Sequence, residues 1–368
     1  MGIGALADDE ASGLIELALR TGALDPAHAQ AVRLATAAGG SGVSALIEHG
    51  RLDPRLARAL RDRLRQDRIP ALIDGWRLGR TLGVGGMAIV FHARREDGSE
   101  AALKVLSPAM VGDPTAGERF LREARTMALV RHANLLAVHG SGSVDGRYWL
   151  AMDYMPGGDV AARLNAIGGV MPPIEAMRII RDAALGAAAL HAAGLVHRDI
   201  KPANIFLAAD GSARLADLGL AKGDSADDQL TRPGHRVGTP VYMAPEQVRC
   251  DVLDERCDLY GLGATFFHLI TGRRPYTGSV PEVLRAILVA NAPPDPRAIR
   301  PELDRRVSDL CRDALHPDRD QRPRDVARWL RDLDAILAGR RPVSRSMVGR
   351  LKRLISRRWP AKRAPIAA

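Results

Sequence analysis

His197-Arg198-Asp199-Ile200-Lys201-Pro202-Ala203-Asn204, with Asp217-Leu218-Gly219 beginning thirteen residues after Asn204, is the stretch on which the fold turns. It places a carboxylate that can accept a hydroxyl proton (Asp199) beside an ammonium suited to phosphate (Lys201). Two hard oxygen ligands of the kind Mg2+ prefers, Asn204 and Asp217, complete the set. Asp, Asn and Lys are common in loops, so no single member is informative. The joint pattern is: such a set can position a phosphoryl group and a hydroxyl for transfer by orientation and electrostatics.

Composition bounds the rest. The 368 residues carry a formal net charge of +10. Residues 339–368 contain ten Lys or Arg and no acid, which leaves 43 bases against 43 acids elsewhere. The charge therefore belongs to a basic tail and predicts no specific nucleic-acid partner for the main domain. Hydrophobic residues make up 46%, enough for a sizeable core. No run of eighteen apolar residues predicts a transmembrane helix. The start, Met1 to Glu10, lacks the basic residues of a secretory signal, and Cys250, Cys257 and Cys311 are too few and scattered for a disulfide framework or a structural zinc site. A cytoplasmic placement is expected.

Three regions separate by composition. Residues 1–70 are rich in Ala, Leu and Arg at helical spacing. They repeat a pattern at an interval of 28 residues: Gly22-Ala23-Leu24-Asp25-Pro26 and Gly50-Arg51-Leu52-Asp53-Pro54. Gly can end one helix while Asp caps the next with Pro in its first turn, so each unit predicts helix, tight turn, helix. Ordinary helix punctuation in an Ala-rich chain is the alternative. No cluster of reactive residues lies there, which suggests an interaction or regulatory module with a partner protein. Residues 76–338 alternate strand-like and helix-like patterns.

Leu82-Gly83-Val84-Gly85-Gly86-Met87-Ala88-Ile89-Val90 lies between two strand-like runs. Glycines let a backbone approach a triphosphate, and Leu82 and Val90 can cover a base. Ala88 stands at the third glycine position of a dinucleotide turn, and Phe91-His92-Ala93-Arg94 reads as strand, not helix. The Gly-Lys-Ser/Thr of a Walker loop is absent, so a hairpin-type phosphate cover is the better reading. Lys104 follows inside the apolar strand Ala101-Ala102-Leu103-Lys104-Val105-Leu106. A lysine there needs a partner or an edge position. Glu123, on a helix whose Phe120, Leu121, Ala124 and Met127 face inward, can pair with it. Tyr148 to Met155 reads as a buried strand that breaks at Pro156-Gly157-Gly158, the form of a hinge.

On these motifs the chain resembles the Ser/Thr protein kinases of the bacterial eukaryotic-like type. The resemblance implies an α+β, bilobal kinase fold, with a β-rich N-lobe over 76–155 and a helical C-lobe over 156–338. ATP and Mg2+ would be the cofactors. Lys104 would hold the α- and β-phosphates. Met152 would be the gatekeeper, and the backbone of Asp153 and Met155 would bond the adenine edge, with Ala102 and Phe206 lining its pocket and Asp159 near the ribose. Asp199 would orient the substrate hydroxyl, Lys201 would neutralise the γ-phosphate, and Asn204 and Asp217 would hold metal. Leu218 replaces the usual Phe beside Asp217, a conservative apolar change.

Small-molecule kinases share the Asp, Asn and second Asp. They lack the peptide-binding segment Gly238-Thr239-Pro240-Val241-Tyr242-Met243-Ala244-Pro245-Glu246. Within it Thr239 would contact Asp199 and Lys201, which like Lys201 itself points to Ser/Thr substrates. Glu246 requires a buried cation, and Arg322 is the matching residue; Asp258 would brace the catalytic-loop backbone. A pseudokinase scaffold is the other alternative, against which Lys104, Glu123, Asp199, Lys201, Asn204 and Asp217 are all present. Arg198 would take an anion from a phosphorylated activation loop, with Thr231 as the candidate autophosphorylation site and Ser225 the other hydroxyl before Thr239. The module over 1–70 resembles small helical repeats at the N-termini of some bacterial secretion ATPases and kinases. In the tail, Met347, Val348, Leu351, Leu354, Ile355 and Trp359 share one helical face opposite Arg350, Arg353 and Arg357, which suggests peripheral contact with an anionic membrane. A solvated or protein-docked tail is the alternative.

Overall fold

The computed structural model describes residues 3–342 except 22, 39–40, 68, 86, 108–109, 111–113 and 217–239. Its contacts divide the chain into two units, Met1–Ala128 with Val138–Tyr154 and Leu129–Ala137 with Met155–Ala368.

The first unit begins with four helices, α1 (Ile3–Arg20), α2 (Pro26–Ala37), α3 (Gly42–Glu48) and α4 (Pro54–Asp67). Asp25 caps α2 through the Ala27 N–H at 2.8 Å, and Asp53 caps α4 through the Arg55 N–H at 2.7 Å. Gly50 ends α3 by donating to the Ala45 carbonyl at 3.1 Å, yet Arg51, not the glycine, takes the left-handed backbone at φ 56°. Leu14, Leu17, Leu24, Val32, Leu46 and Leu60 fill the core between the helices. Each such side chain contributes about 1.5–3 kcal/mol by leaving water.

The same unit holds an antiparallel sheet in the order β1-β2-β3-β4-β6-β5. Its strands are β1 (Leu72–Ile73), β2 (Trp76–Val84), β3 (Ala88–Arg94), β4 (Glu100–Leu106), β5 (Val138–Val144) and β6 (Arg147–Met152). Side chains alternate between its two faces. One face buries Trp76, Ile89, Phe91, Leu103, Val105 and Trp149, joined by Ile69 and Ile73. Helix α5 (Pro114–Ala128) carries Glu123 and packs against β5 and β6. Gly117 permits that approach: a Cβ there would lie 2.2 Å from Cε2 of Tyr148.

The second unit is mostly helical: α6 (Val160–Ala166), α7 (Pro173–Ala192), α8 (Pro245–Val248), α9 (Arg256–Thr271), α10 (Val280–Val289), α11 (Arg305–Ala314) and α12 (Val326–Leu337). Between α7 and α8 runs a short hairpin, β7 (Ile205–Leu207) with β8 (Ala213–Leu215). Helix α9 is buried along nearly its whole length, and α7 lies against α9, α12 and β8. The segment 129–137 belongs with these helices because Leu136 N–H bonds the Leu215 carbonyl at 2.9 Å and Asn134 Nδ2 donates to the Ala213 carbonyl at 3.1 Å. Gly186 on α7 passes this segment so closely that a Cβ would stand 2.5 Å from the Asn134 carbonyl oxygen. Among the described residues, no helix is long and apolar enough to cross a membrane, and all three cysteines are free thiols.

Candidate active site

In the first unit the register of three strands decides which side chains share a face. Val90 pairs with Lys104 and His92 with Ala102. Across the next ladder Lys104 pairs with Leu150, and Ala102 with Met152. Directly paired residues lie on one side of a sheet, so Val90, Ala102, Lys104 and Met152 form one surface. Ala102 and Met152 are buried there, while Val90 and Lys104 are half-buried. Ile89 departs from the expectation that it lines a nucleotide. Alternation turns its side chain to the opposite face, where it is fully enclosed with Phe91 and Leu103.

The turn from β2 to β3 closes through the Gly85 N–H to the Ala88 carbonyl at 2.9 Å. Leu82, Gly83 and Val84 end β2, Met87 is exposed, and Ala88 opens β3. A Cβ at Gly83 would meet nothing within 4 Å, so the backbone is open on that side, as a phosphate cover requires. Gly86 lies outside the described residues. Beyond β6, Asp153 Oδ1 meets His139 Nε2 on β5 at 2.9 Å.

In the second unit, Met155 is buried at the start of the connector. Gly157 donates to the Leu207 carbonyl at 3.0 Å and Leu207 donates back to the Gly158 carbonyl at 2.9 Å, fastening the connector to β7. Asp159 bridges Phe206, and its Oδ1 caps α6 through the Ala162 N–H at 2.8 Å. One of its carboxylate oxygens is thus occupied structurally.

The loop His197–Asn204 is held from several directions. Asp258, at the start of α9 and 1% exposed, accepts the His197 N–H on Oδ2 and the Arg198 N–H on Oδ1, both at 2.8 Å. His191 Nε2 on α7 meets the same Oδ2 at 2.7 Å. These donors compensate the burial of the carboxylate. They also hold Arg198 at φ 68°, a left-handed conformation that costs a non-glycine residue roughly 1–2 kcal/mol. Gln247 on α8 donates from Nε2 to the Arg198 carbonyl at 2.8 Å and accepts the Ala244 N–H on Oε1 at 3.0 Å. Neither His191 nor Gln247 carries a sequence signal that names it as a brace.

Within the loop, Lys201 Nζ reaches Asp199 Oδ2 at 2.7 Å. Asn204 Nδ2 donates to that same Oδ2 at 3.1 Å and to the Asp199 carbonyl at 2.8 Å. The His197 ring links the loop to β8: Nδ1 accepts the Asp199 N–H at 3.2 Å, so the proton sits on Nε2 and is donated to the Ala216 carbonyl at 2.9 Å. Ala216 N–H in turn bonds the Asn204 carbonyl at 2.9 Å. The chain is thereby fixed up to the residue before Asp217. Asp217, Thr231 and Thr239 lie outside the described residues, as do Leu218, Gly219, Ser225 and the tail positions from Met347 to Trp359.

Downstream, Arg322 Nη1 and Nη2 meet Glu246 Oε1 and Oε2 at 2.5 and 2.8 Å, a buried two-point ion pair. Val241 packs with Val283 and Ile287 of α10. Next to it the Tyr242 hydroxyl and His268 Nδ1 on α9 share a hydrogen bond at 2.8 Å. Burial pushes the Tyr242 hydroxyl up to about 12, and burial with the nearby Arg274 charge pulls His268 down to about 4.

A sheet that carries a lysine and an open glycine turn, with a separate helical unit that carries an Asp-Lys-Asn loop, has counterparts among known proteins. The protein kinase domain model matches residues 76–330, and the chain belongs to that family. The serine/threonine-protein kinase PknE of Mycobacterium tuberculosis is 37% identical over 227 residues, 61% of this chain and 40% of PknE. PknB of Mycobacterium leprae is 34% identical over 217 residues, 58% of this chain and 35% of PknB. PknJ of Mycobacterium tuberculosis is 39% identical over 211 residues, 56% of this chain and 35% of PknJ. The chain therefore spans less than half the length of these relatives. The crystal structure of the Mycobacterium tuberculosis PknI kinase domain, a point mutant, matches with a TM-score of 0.56 and 30% identity, over 73% of this chain and 97% of that one.

Proposed function

We propose that this chain is a Ser/Thr protein kinase that transfers the γ-phosphoryl group of Mg·ATP to protein hydroxyls. The observation that carries the reading is the Asp199 carboxylate with Lys201 Nζ at 2.7 Å and Asn204 Nδ2 at 3.1 Å on one oxygen. In this reading the Asp199 carboxylate orients a substrate hydroxyl. Lys201 offsets charge beside the same carboxylate, where a transferred phosphoryl group needs it. Lys104 is the cation on the nucleotide-facing surface of the sheet, with Glu123 on α5 as its charge partner, and the Asp153 and Met155 backbone reads the adenine edge.

The donor chemistry fits a magnesium ion. Both protons of the Asn204 amide are spent on Asp199, so its Oδ1 has ligand capacity, and Asp217 follows directly on the fixed Ala216. When bound, Mg·ATP supplies the phosphoryl group and the divalent charge that offsets it. The remaining roles are positional: Asp258 holds the loop, and Glu246 with Arg322 holds the segment that would receive the peptide.

Regulation enters through Arg198, beside which a phosphorylated Thr231 would add the anion that orders the segment. The module over 1–70 would bind a partner protein that carries the activating signal. The basic tail over 339–368 would touch an anionic membrane from the cytoplasmic side. Incubation of the full chain and its Asp199→Asn variant with γ-labelled ATP, Mg2+ and a generic protein substrate tests the central reading. Label on Ser and Thr, lost in the variant, is expected; label no higher in the wild type than in the variant would reject it. Mapping the same samples tests Thr231, which is rejected if no phosphate is found on its peptide. Liposome co-sedimentation with and without residues 339–368 tests the tail, and equal recovery rejects the membrane contact.

A further inference from the structure

Tyr154 stands between Asp153 and Met155, the two residues assigned to the adenine edge, and its side chain is tied to distant strands of the first unit. Its hydroxyl accepts a hydrogen bond from Arg80 Nη2 on β2 at 2.6 Å. Its ring lies against the His92 ring on β3, with centroids 4.5 Å apart and planes tilted by 56°. His92 Nε2 lies 3.5 Å from Glu100 Oε1 on β4 without a hydrogen bond, and Arg94 pairs with the same oxygen. On the opposite side of β6, Asp153 is held by His139 of β5. Two consecutive residues leaving β6 are therefore laced to strands on both sides of it.

The position of Arg80 gives this lacing a purpose. It lies two residues before Leu82, where β2 becomes the cover of the glycine turn. His92 lies in the cross-strand row of Ala102 and Met152, on the nucleotide-facing side of the sheet. A single contact thus spans from the cover of the base slot to the segment that reads the base edge.

We propose that Arg80, His92 and Tyr154 form a strap that fixes the spacing between the end of β2 and Asp153 within the first unit, and that they act as positioning residues for nucleotide affinity. The proposal rests on the assignment of the nucleotide to this face. A surface whose strands are already held in place binds without the ordering cost of a loose one, so the strap acts on affinity more than on the phosphoryl-transfer step.

The test uses the full chain and measures ADP dissociation constants by calorimetry, KM for ATP, kcat, and melting temperature. Tyr154→Phe keeps the ring and removes the acceptor; Arg80→Ala removes the donor; Arg80→Lys retains a donor. The expected result is a rise of about three- to tenfold in Kd for ADP and KM for ATP in Tyr154→Phe and Arg80→Ala, the range of one lost hydrogen bond. The double variant should be no worse than the worse single one, Arg80→Lys should recover part of the affinity, and kcat should change less than KM. Wild-type ADP affinity in both single variants, additive losses in the double variant, or losses that follow a falling melting temperature would each overturn the strap alone. A wild-type chain that binds neither ADP nor ATP would overturn the nucleotide assignment itself, and the strap with it.

Discussion

Arg322 and Glu246, 76 positions apart in the chain, meet as a two-point ion pair with the Arg322 side chain fully enclosed. The other donors of the guanidinium are also occupied. Nε bonds the His316 carbonyl at 2.8 Å, Nη1 the Arg256 carbonyl at 2.8 Å, and Nη2 the Pro317 carbonyl at 3.3 Å. Lysine cannot reproduce a fork of five donors. Glu246→Ala should destabilise the folded chain by roughly 3–5 kcal/mol, because it strands a buried charge. Arg322→Lys should cost nearly as much. Urea unfolding of each variant checks this, and a loss under about 1 kcal/mol for Arg322→Lys would contradict the argument.

Asp258 acts at the catalytic loop through backbone, not substrate. Asp258→Asn replaces one accepting oxygen by an amide that cannot accept the N–H it faces. Arg198 then loses the restraint that keeps it left-handed, and Asp199 shifts with it. The expected fall in kcat is roughly 100-fold, the cost of about 1 Å of misplacement, with far smaller change in KM for ATP. Steady-state kinetics on the full chain decides, and a KM effect larger than the kcat effect would argue against the role.

The burial of His268, with the Arg274 charge beside it, predicts an acid-sensitive stability. The folded chain holds His268 at about 4, below the usual value of 6.5. The unfolded chain therefore binds more protons between those values, and stability rises with pH across that window. The contribution is present above about pH 6.5 and is lost as pH falls toward about 4. Urea midpoints measured at intervals over this range should drop for the wild type and drop less for His268→Gln, which keeps an acceptor for the tyrosine hydroxyl without titrating.

Gly117 offers a packing test. Its Cβ position coincides with the Tyr148 ring, 2.2 Å from Cε2. Gly117→Ala should cost about 1–3 kcal/mol through overpacking. Adding Tyr148→Leu should recover part of that loss, because it withdraws the ring that α5 would strike. Thermal unfolding of the single and double variants gives the comparison.

The catalytic loop was legible because its chemistry is local: an acid, a cation and an amide within six residues need no tertiary context to be noticed. The Arg322–Glu246 pair was legible only through the resemblance to the kinase family, because nothing in the local sequence joins two residues 76 positions apart. Gln247 and His191 were not legible. Gln247 reaches the loop from 49 positions away and His191 acts on it only through Asp258, 67 positions further on, and a glutamine or histidine on a helix has no period that announces such a contact. The side of Ile89 was likewise hidden, because a turn can be read from its glycines while the facing of the next strand depends on register. The left-handed residue after α3 fell on Arg51 although a glycine stands beside it. Cap geometry there answers to the Leu52 N–H, which must reach the Leu46 carbonyl at 3.0 Å.

The shared carboxylate of Asp258 has one more consequence. The amides of His197 and Arg198 have separate protons but a single acceptor group, seated in the enclosed helix α9. Neither can be released to solvent by fraying alone while that carboxylate stays in place. Their exchange with deuterium should therefore report one common opening free energy, that of the opening that withdraws Asp258. Two neighbouring amides become a single gauge for the integrity of the loop, readable without any substrate.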